Sequence, residues 1–172
     1  VGDIEKTKKV LEKENINIEN IEFIDIKTSK KTPIYAQKLY EYRKHKGLTK
    51  EEAENLIKDS VYYSIMMLKE GDADGLVSGA AHSTADTLRP ALQIIRTKEN
   101  SKLVSSFFIM DVPNCNYGEN GIFLFADCGL NENPNAEELA EIAKDSSKEF
   151  EKLVKKEIKI GMLSYSTRGS KV

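Results

Sequence analysis

The sequence is short of several things, and each shortage closes a class of function. Two cysteines, Cys115 and Cys128, among 172 residues cannot build a disulfide framework and suit a reducing, cytoplasmic compartment. The two histidines, His45 and His82, and the two thiols are widely scattered along the chain. Zinc-ligand spacing is therefore missing, and no metal is expected. No apolar run reaches the roughly 18 residues that a spanning helix needs, and no amino-terminal signal pattern is present. Charge of one sign is not in excess either, with 26 basic side chains against 28 acidic ones. Without a bulk basic field, neither nucleic acid nor an anionic membrane is an expected partner.

What is present suffices for a folded core. The chain is 40% hydrophobic and 31% charged, too apolar and too evenly charged for global disorder. Its length fits one domain, or a domain with part of another. Helical and strand-like segments alternate. Asp3 can cap a helix that runs to Glu14, and 21–26 is a β-branched and aromatic run read as a strand. A helix is expected over 33–46, with Pro33 in its first turn and Gly47 placed to stop it. Thr49-Lys50-Glu51-Glu52 forms a capping box opening a helix that continues to Gly71. A short buried strand over 73–78 and a helix over 87–96 follow, with Pro90 in the first turn of the latter. Strands over 104–112 and 121–126, joined by a loop long enough for a hairpin, make one antiparallel pair. Asn133 or Asn135 caps a charged helix to Val154, whose Lys/Glu-dense surface reads as a solvated face. The last strand is expected over 158–163. This alternation predicts an α/β fold, a mixed and mostly parallel sheet with helices on both faces.

In such folds ligands sit at the carboxyl ends of strands, beside helix amino termini. Two segments have that placement. The first contains His82, Ser83, Thr84, Thr87 and Arg89. It offers hydroxyls, unpaired helix N–H groups and a guanidinium suited to an anion such as a phosphate. Ordinary helix capping and an Arg89–Asp86 pair would account for the same residues. The second segment is Ser164-Tyr165-Ser166-Thr167-Arg168-Gly169-Ser170, where Ser166, Thr167 and Arg168 are candidate ligands, although a polar surface loop would look similar. His82 next to Ser83 lacks the Gly-x-Ser-x-Gly elbow of a nucleophile and reads as a structural histidine. The basic cluster Arg43-Lys44-His45-Lys46 suits a helix carboxyl end; a pocket for a multi-phosphate ligand is the sharper alternative. Cys115 has no activating base nearby in sequence and reads as an accessible thiol.

Asp74-Gly75-Leu76-Val77-Ser78-Gly79-Ala80-Ala81-His82-Ser83-Thr84-Ala85-Asp86-Thr87-Leu88-Arg89-Pro90-Ala91-Leu92-Gln93 resembles the signature of the phosphate acetyltransferases, in the phosphate acetyl/butyryl transferase family. Tyr42-Arg43-Lys44-His45-Lys46-Gly47, Phe125-Ala126-Asp127-Cys128 and the stretch from Met162 to Ser170 are similar to three further family blocks, in the expected order. The resemblance implies reversible acetyl transfer between acetyl phosphate and coenzyme A, with release of orthophosphate. Coenzyme A is then a substrate, and no cofactor is bound. It also implies a fold related to the isocitrate and isopropylmalate dehydrogenases, two domains flanking a cleft, and a homodimer. By motif match Arg43 and Arg89 bind coenzyme A, Arg89 with a possible role in stabilising transition-state charge. His82, Ser83, Thr84, Ser166, Thr167 and Arg168 line the substrate site.

The same resemblance makes the chain an internal piece. Residues 1–130 would be part of the first domain without its opening strand–helix unit, and 131–172 the start of the second. The family's carboxy-terminal Asp/Ser-Arg block is absent, so no general base is assignable among Asp86, Asp111 or Asp127, and the isolated chain is expected to be inactive. A phosphate butyryltransferase, or a non-catalytic acetyl-coenzyme A sensor such as that of multidomain malic enzymes, are the alternative readings.

Overall fold

The computed structural model describes residues 1–98 and 101–163. Two compact units emerge, Val1–Arg96 and Thr97–Val172.

The first unit is helical. Helix α1 (Ile4–Lys13) is capped by Asp3, whose carboxylate accepts from the Lys6 N–H at 3.0 Å. Helix α2 (Lys31–Arg43) buries Tyr35, Ala36 and Leu39, which its turn brings onto one face. It tightens into a 3-10 turn (Lys44–Lys46) and ends at Gly47, whose φ of 88° is left-handed and strains any side-chain-bearing residue. Helix α3 (Lys50–Leu56) opens with the expected capping box of Thr49 and Glu52.

The continuous helix expected from Thr49 to Gly71 is in fact two. The carboxylate of Asp59 accepts from the N–H groups of Val61 (2.9 Å) and Tyr62 (3.1 Å), and so starts helix α4 (Ser60–Lys69) afresh. An aspartate competing for nearby N–H groups is a helix start as readily as a helix interior. Helix α5 (Thr84–Ile94) begins three residues earlier than expected, capped by Ser83. Pro90 therefore lies inside it rather than in its first turn. The Asp86 carbonyl loses its helical donor there, while the Pro90 ring is fully buried.

Helix α2 packs against α3, α4 and α5. The core they enclose contains Tyr35, Leu39, Ala53, Ile57, Val61, Tyr63, Ile65, Met66 and Ile94. Tyr35 and Tyr63 meet edge to face, ring centroids 5.1 Å apart. Burying such side chains contributes on the order of 2 kcal/mol each before entropy is counted.

The second unit holds a hairpin of β1 (Phe107–Asp111) and β2 (Ile122–Ala126), antiparallel with Phe107 opposite Ala126 and Asp111 opposite Ile122. Gly121 lies at φ 91°, and a Cβ there would sit 2.2 Å from the Val112 carbonyl oxygen, so the turn requires glycine. Helix α6 (Ala136–Val154) starts at a capping box of Asn135 and Glu138, and buries only Ile142. Most of its charged side chains face solvent, but Asp145 and Glu149 are half-buried and bond Ser101 and Lys98.

Among the described residues this hairpin is the only sheet. The architecture is mixed α/β, but the expected mostly parallel sheet is not formed. Segments 21–26, 73–78 and 158–163 carry no ladder, and Val77, expected to be buried, is fully exposed. A strand exists only through its partner's hydrogen bonds, which β-branched composition alone does not supply.

Candidate functional site

Local sequence positions the start of α5. Ser83 Oγ accepts from the Asp86 N–H at 3.2 Å and donates to the Asp86 carboxylate at 2.7 Å. Thr87 Oγ1 returns to the Ser83 carbonyl at 3.2 Å. Helix geometry leaves the N–H groups of Thr84 and Ala85 without a helical acceptor, and the positive end of the dipole points outward there. Arg89 stands 3.9 Å from Asp86, both well exposed. Such an i,i+3 pair is worth at most about 1 kcal/mol, so the guanidinium remains available to a competing anion. His82 Nε2 lies 3.6 Å from the Asp59 carboxylate, an ion pair only when the imidazole is protonated. That contact ties the loop before α5 to the start of α4, which suits a structural histidine.

Arg43 occupies the last position of α2 and is half-buried. It lines a cleft of about 240 Å³ with Lys46, Leu48, Glu52, Tyr62 and Gln93. Tyr62, on α4, donates from its hydroxyl to Gln93 Oε1 at 3.2 Å. Burial raises the Tyr62 phenol's pKa; Arg89 opposes the rise, Asp59 adds to it and Arg43 opposes it. His45, in the same basic cluster as Arg43, is exposed.

In the second unit Asp127 organises the chain after β2. It accepts from Ser106 Oγ (2.7 Å), from the N–H groups of Gly129 (2.8 Å) and Leu130 (3.0 Å), and from Asn131. Partial burial raises its pKa, but the backbone N–H groups, Asn131 and Ser106 outweigh it and hold the carboxyl at about 2. A permanently ionised, fully engaged carboxylate is a poor proton acceptor at neutral pH, so Asp127 is a structural group. Cys115 and Cys128 are both unpaired and half-buried; Cys128 lies 2.8 Å from the Phe125 carbonyl.

The structure therefore places Arg43 at one cleft, His82, Ser83 and Thr84 at the start of α5, and Arg89 in the middle of that helix. Ser166, Thr167 and Arg168 lie outside the described residues. Sequence reasoning missed Tyr62 and the Asp59 partner of His82. Only the recognition that α4 restarts at Asp59 would have turned Tyr62 toward α5.

Together these features define a mixed α/β protein that carries two arginines on different helices, Arg43 at a cleft that the half-buried Tyr62 also lines and Arg89 one turn before Gln93 of the same cleft. The whole chain, residues 1–172, matches the model of the family described as phosphate acetyl/butaryl transferase, and it belongs to that family. It is 56% identical over 157 residues to the phosphate acetyltransferase of Thermoanaerobacterium thermosaccharolyticum, covering 91% of this chain and 48% of the relative. It is 49% identical over 170 residues to that of Clostridium acetobutylicum, covering 99% and 51%. Among solved structures it is similar to a phosphotransacetylase from Staphylococcus aureus, with a TM-score of 0.80 at 40% identity, covering 99% of this chain and 49% of that one. A phosphotransacetylase from Streptococcus pyogenes gives a TM-score of 0.81 at 39% identity, covering 99% and 50%. The chain spans about half the length of the curated relatives it matches.

Proposed function

We propose that the complete protein containing this chain is a phosphate acetyltransferase, exchanging acetyl groups between acetyl phosphate and coenzyme A with release of orthophosphate. The observation that carries this reading is the family match over the whole chain, with the Arg43 and Arg89 blocks intact. Both substrates are anionic. Arg43 in the α2–α4–α5 cleft, and Arg89 with the free N–H groups opening α5, supply fixed positive charge without needing a metal ion.

In this mechanism the coenzyme A thiolate attacks the acetyl carbonyl, and phosphate leaves. Arg43 and Arg89 bind coenzyme A; Arg89 also stabilises charge that develops in the transition state, where preorganised donors act most strongly. Arg89 gives up only a weak, exposed partnership with Asp86 to do so. Ser83 and Thr84 contribute hydrogen bonds at the helix start, His82 holds the preceding loop, and the motif match assigns Ser166, Thr167 and Arg168 to substrate binding. The general base is assigned to no residue of this chain, and no step is asked of Asp127. The complete protein is expected to be a cytoplasmic homodimer with an isocitrate/isopropylmalate dehydrogenase-like fold. Its first domain would reach to about residue 130, and the second would begin at 131.

The test is acetyl-coenzyme A formation by the full-length protein in the presence of chelator. Arg89→Ala should lower kcat/KM by roughly 100-fold; unchanged kinetics would remove the role given to Arg89. The family description names both acetyl and butyryl transfer, so butyryl phosphate is the informative second donor. A preference for it would move the protein to the butyryl side of the family.

A further inference from the structure

The two arginines sit on separate helices, and something must set their spacing. Arg43 ends α2, whereas Arg89 lies on α5. Gln93 is one helical turn beyond Arg89 and shares its face of α5. It also lines the Arg43 cleft together with Tyr62. The Tyr62–Gln93 hydrogen bond, 3.2 Å long, is the polar tie from α4 to the Arg89 face of α5. Helix α4 is itself anchored through buried Val61 and Tyr63, either side of Tyr62, and Tyr63 bears on Tyr35 of α2. A chain of contacts therefore runs from α2 through α4 to α5.

We propose that Tyr62 is a positioning residue for coenzyme A, its hydroxyl holding Gln93 so that Arg43 and Arg89 address one ligand. The proposal rests on the acetyl-transfer reading above. Tyr62 does not touch the reacting atoms. Its hydroxyl orients the Gln93 amide at the wall of the Arg43 cleft and fixes the face on which Arg89 projects. A phenylalanine at 62 would keep the ring packing and lose only the tie. A methionine at 93 would keep the length of the side chain and lose the acceptor.

The experiment is steady-state kinetics of the full-length enzyme with each substrate varied in turn, for Tyr62→Phe, Gln93→Met and the double variant. Loss of one neutral hydrogen bond predicts a rise of about fivefold in KM for coenzyme A in either single variant. The double variant should show no further rise, because both changes remove one interaction. The KM for acetyl phosphate and kcat should stay within about twofold. A general loosening of the fold would instead move both KM values and the thermal midpoint together, which overturns the proposal. So does an unchanged KM for coenzyme A in both single variants of an active enzyme, or additive effects in the double. A wild-type enzyme that makes no acetyl-coenzyme A overturns the acetyl-transfer reading, and this proposal with it.

Discussion

The two compact units of this chain are held together by different physics. In Val1–Arg96 the four helices α2 to α5 close over aromatic and aliphatic side chains, eleven of which form one buried cluster. In Thr97–Val172 the sole buried hydrophobic side chain among the described residues is Ile142. Order there comes from the hairpin ladder, a glycine turn and the ring of donors around Asp127. Close packing stabilises in proportion to buried apolar area and is blind to pH. A hydrogen-bonded carboxylate stabilises locally and only while ionised. The first unit accordingly offers a stiff platform for charged side chains, which is where Arg43 and Arg89 are found.

Four substitutions would break or sharpen that contrast. The largest effect is expected from Leu39→Ala, at a side chain 1% exposed in the helical core; it should destabilise by about 3 kcal/mol in urea unfolding. A loss below about 1 kcal/mol would mean that the core is not what holds this unit. Next is Gly121→Ala. The close approach to the Val112 carbonyl, together with the left-handed φ, predicts about 2 kcal/mol, read as loss of amide protection in β1 and β2. Unaltered hydrogen exchange there would contradict the steric argument.

Asp127→Asn removes the charge that the second unit gathers around, and should cost on the order of 1 kcal/mol at pH 7 after discounting for solvent screening. The sign follows from a folded pKa of about 2 that lies below the ordinary aspartate value of 3.8. Its contribution is complete above the unfolded value and disappears as pH falls from about 4 through about 2. An acid titration of stability in wild type and variant should therefore converge at low pH; parallel curves would show that the carboxylate does not carry the effect. The smallest change is expected from Thr49→Ala, which removes the capping box of α3 and should lower stability by about 1 kcal/mol or a little less, read as a small fall in thermal midpoint.

The parts of the fold visible in sequence are those whose cause is local. Asp3 capping α1, Gly47 ending the basic turn, the Thr49 capping box, a cap for α6 at Asn133 or Asn135 and the hairpin all follow from residues within a few positions of one another. The errors lie where a local signal has two outcomes. Asp59 reads as tolerable inside a helix and instead starts one. Thr84 to Asp86 read as a turn, but Ser83 caps them into α5, which moves Pro90 to the helix interior. The same division holds for the site. Arg43 and Arg89 are picked out by motif blocks within the sequence, whereas Tyr62 and Gln93, 31 positions apart, carry no pattern that links them.

By itself, then, the sequence determined the balanced charge, the caps at Asp3 and Thr49, the Gly47 stop and the motif blocks that mark the family. Tertiary structure alone decided that 21–26, 73–78 and 158–163 carry no ladder, that α4 restarts at Asp59, and that Tyr62 meets Gln93. Capping and glycine effects are settled within one turn of backbone. Strand pairing and side-chain meetings between helices need a second segment, whose position depends on the packing of the whole core.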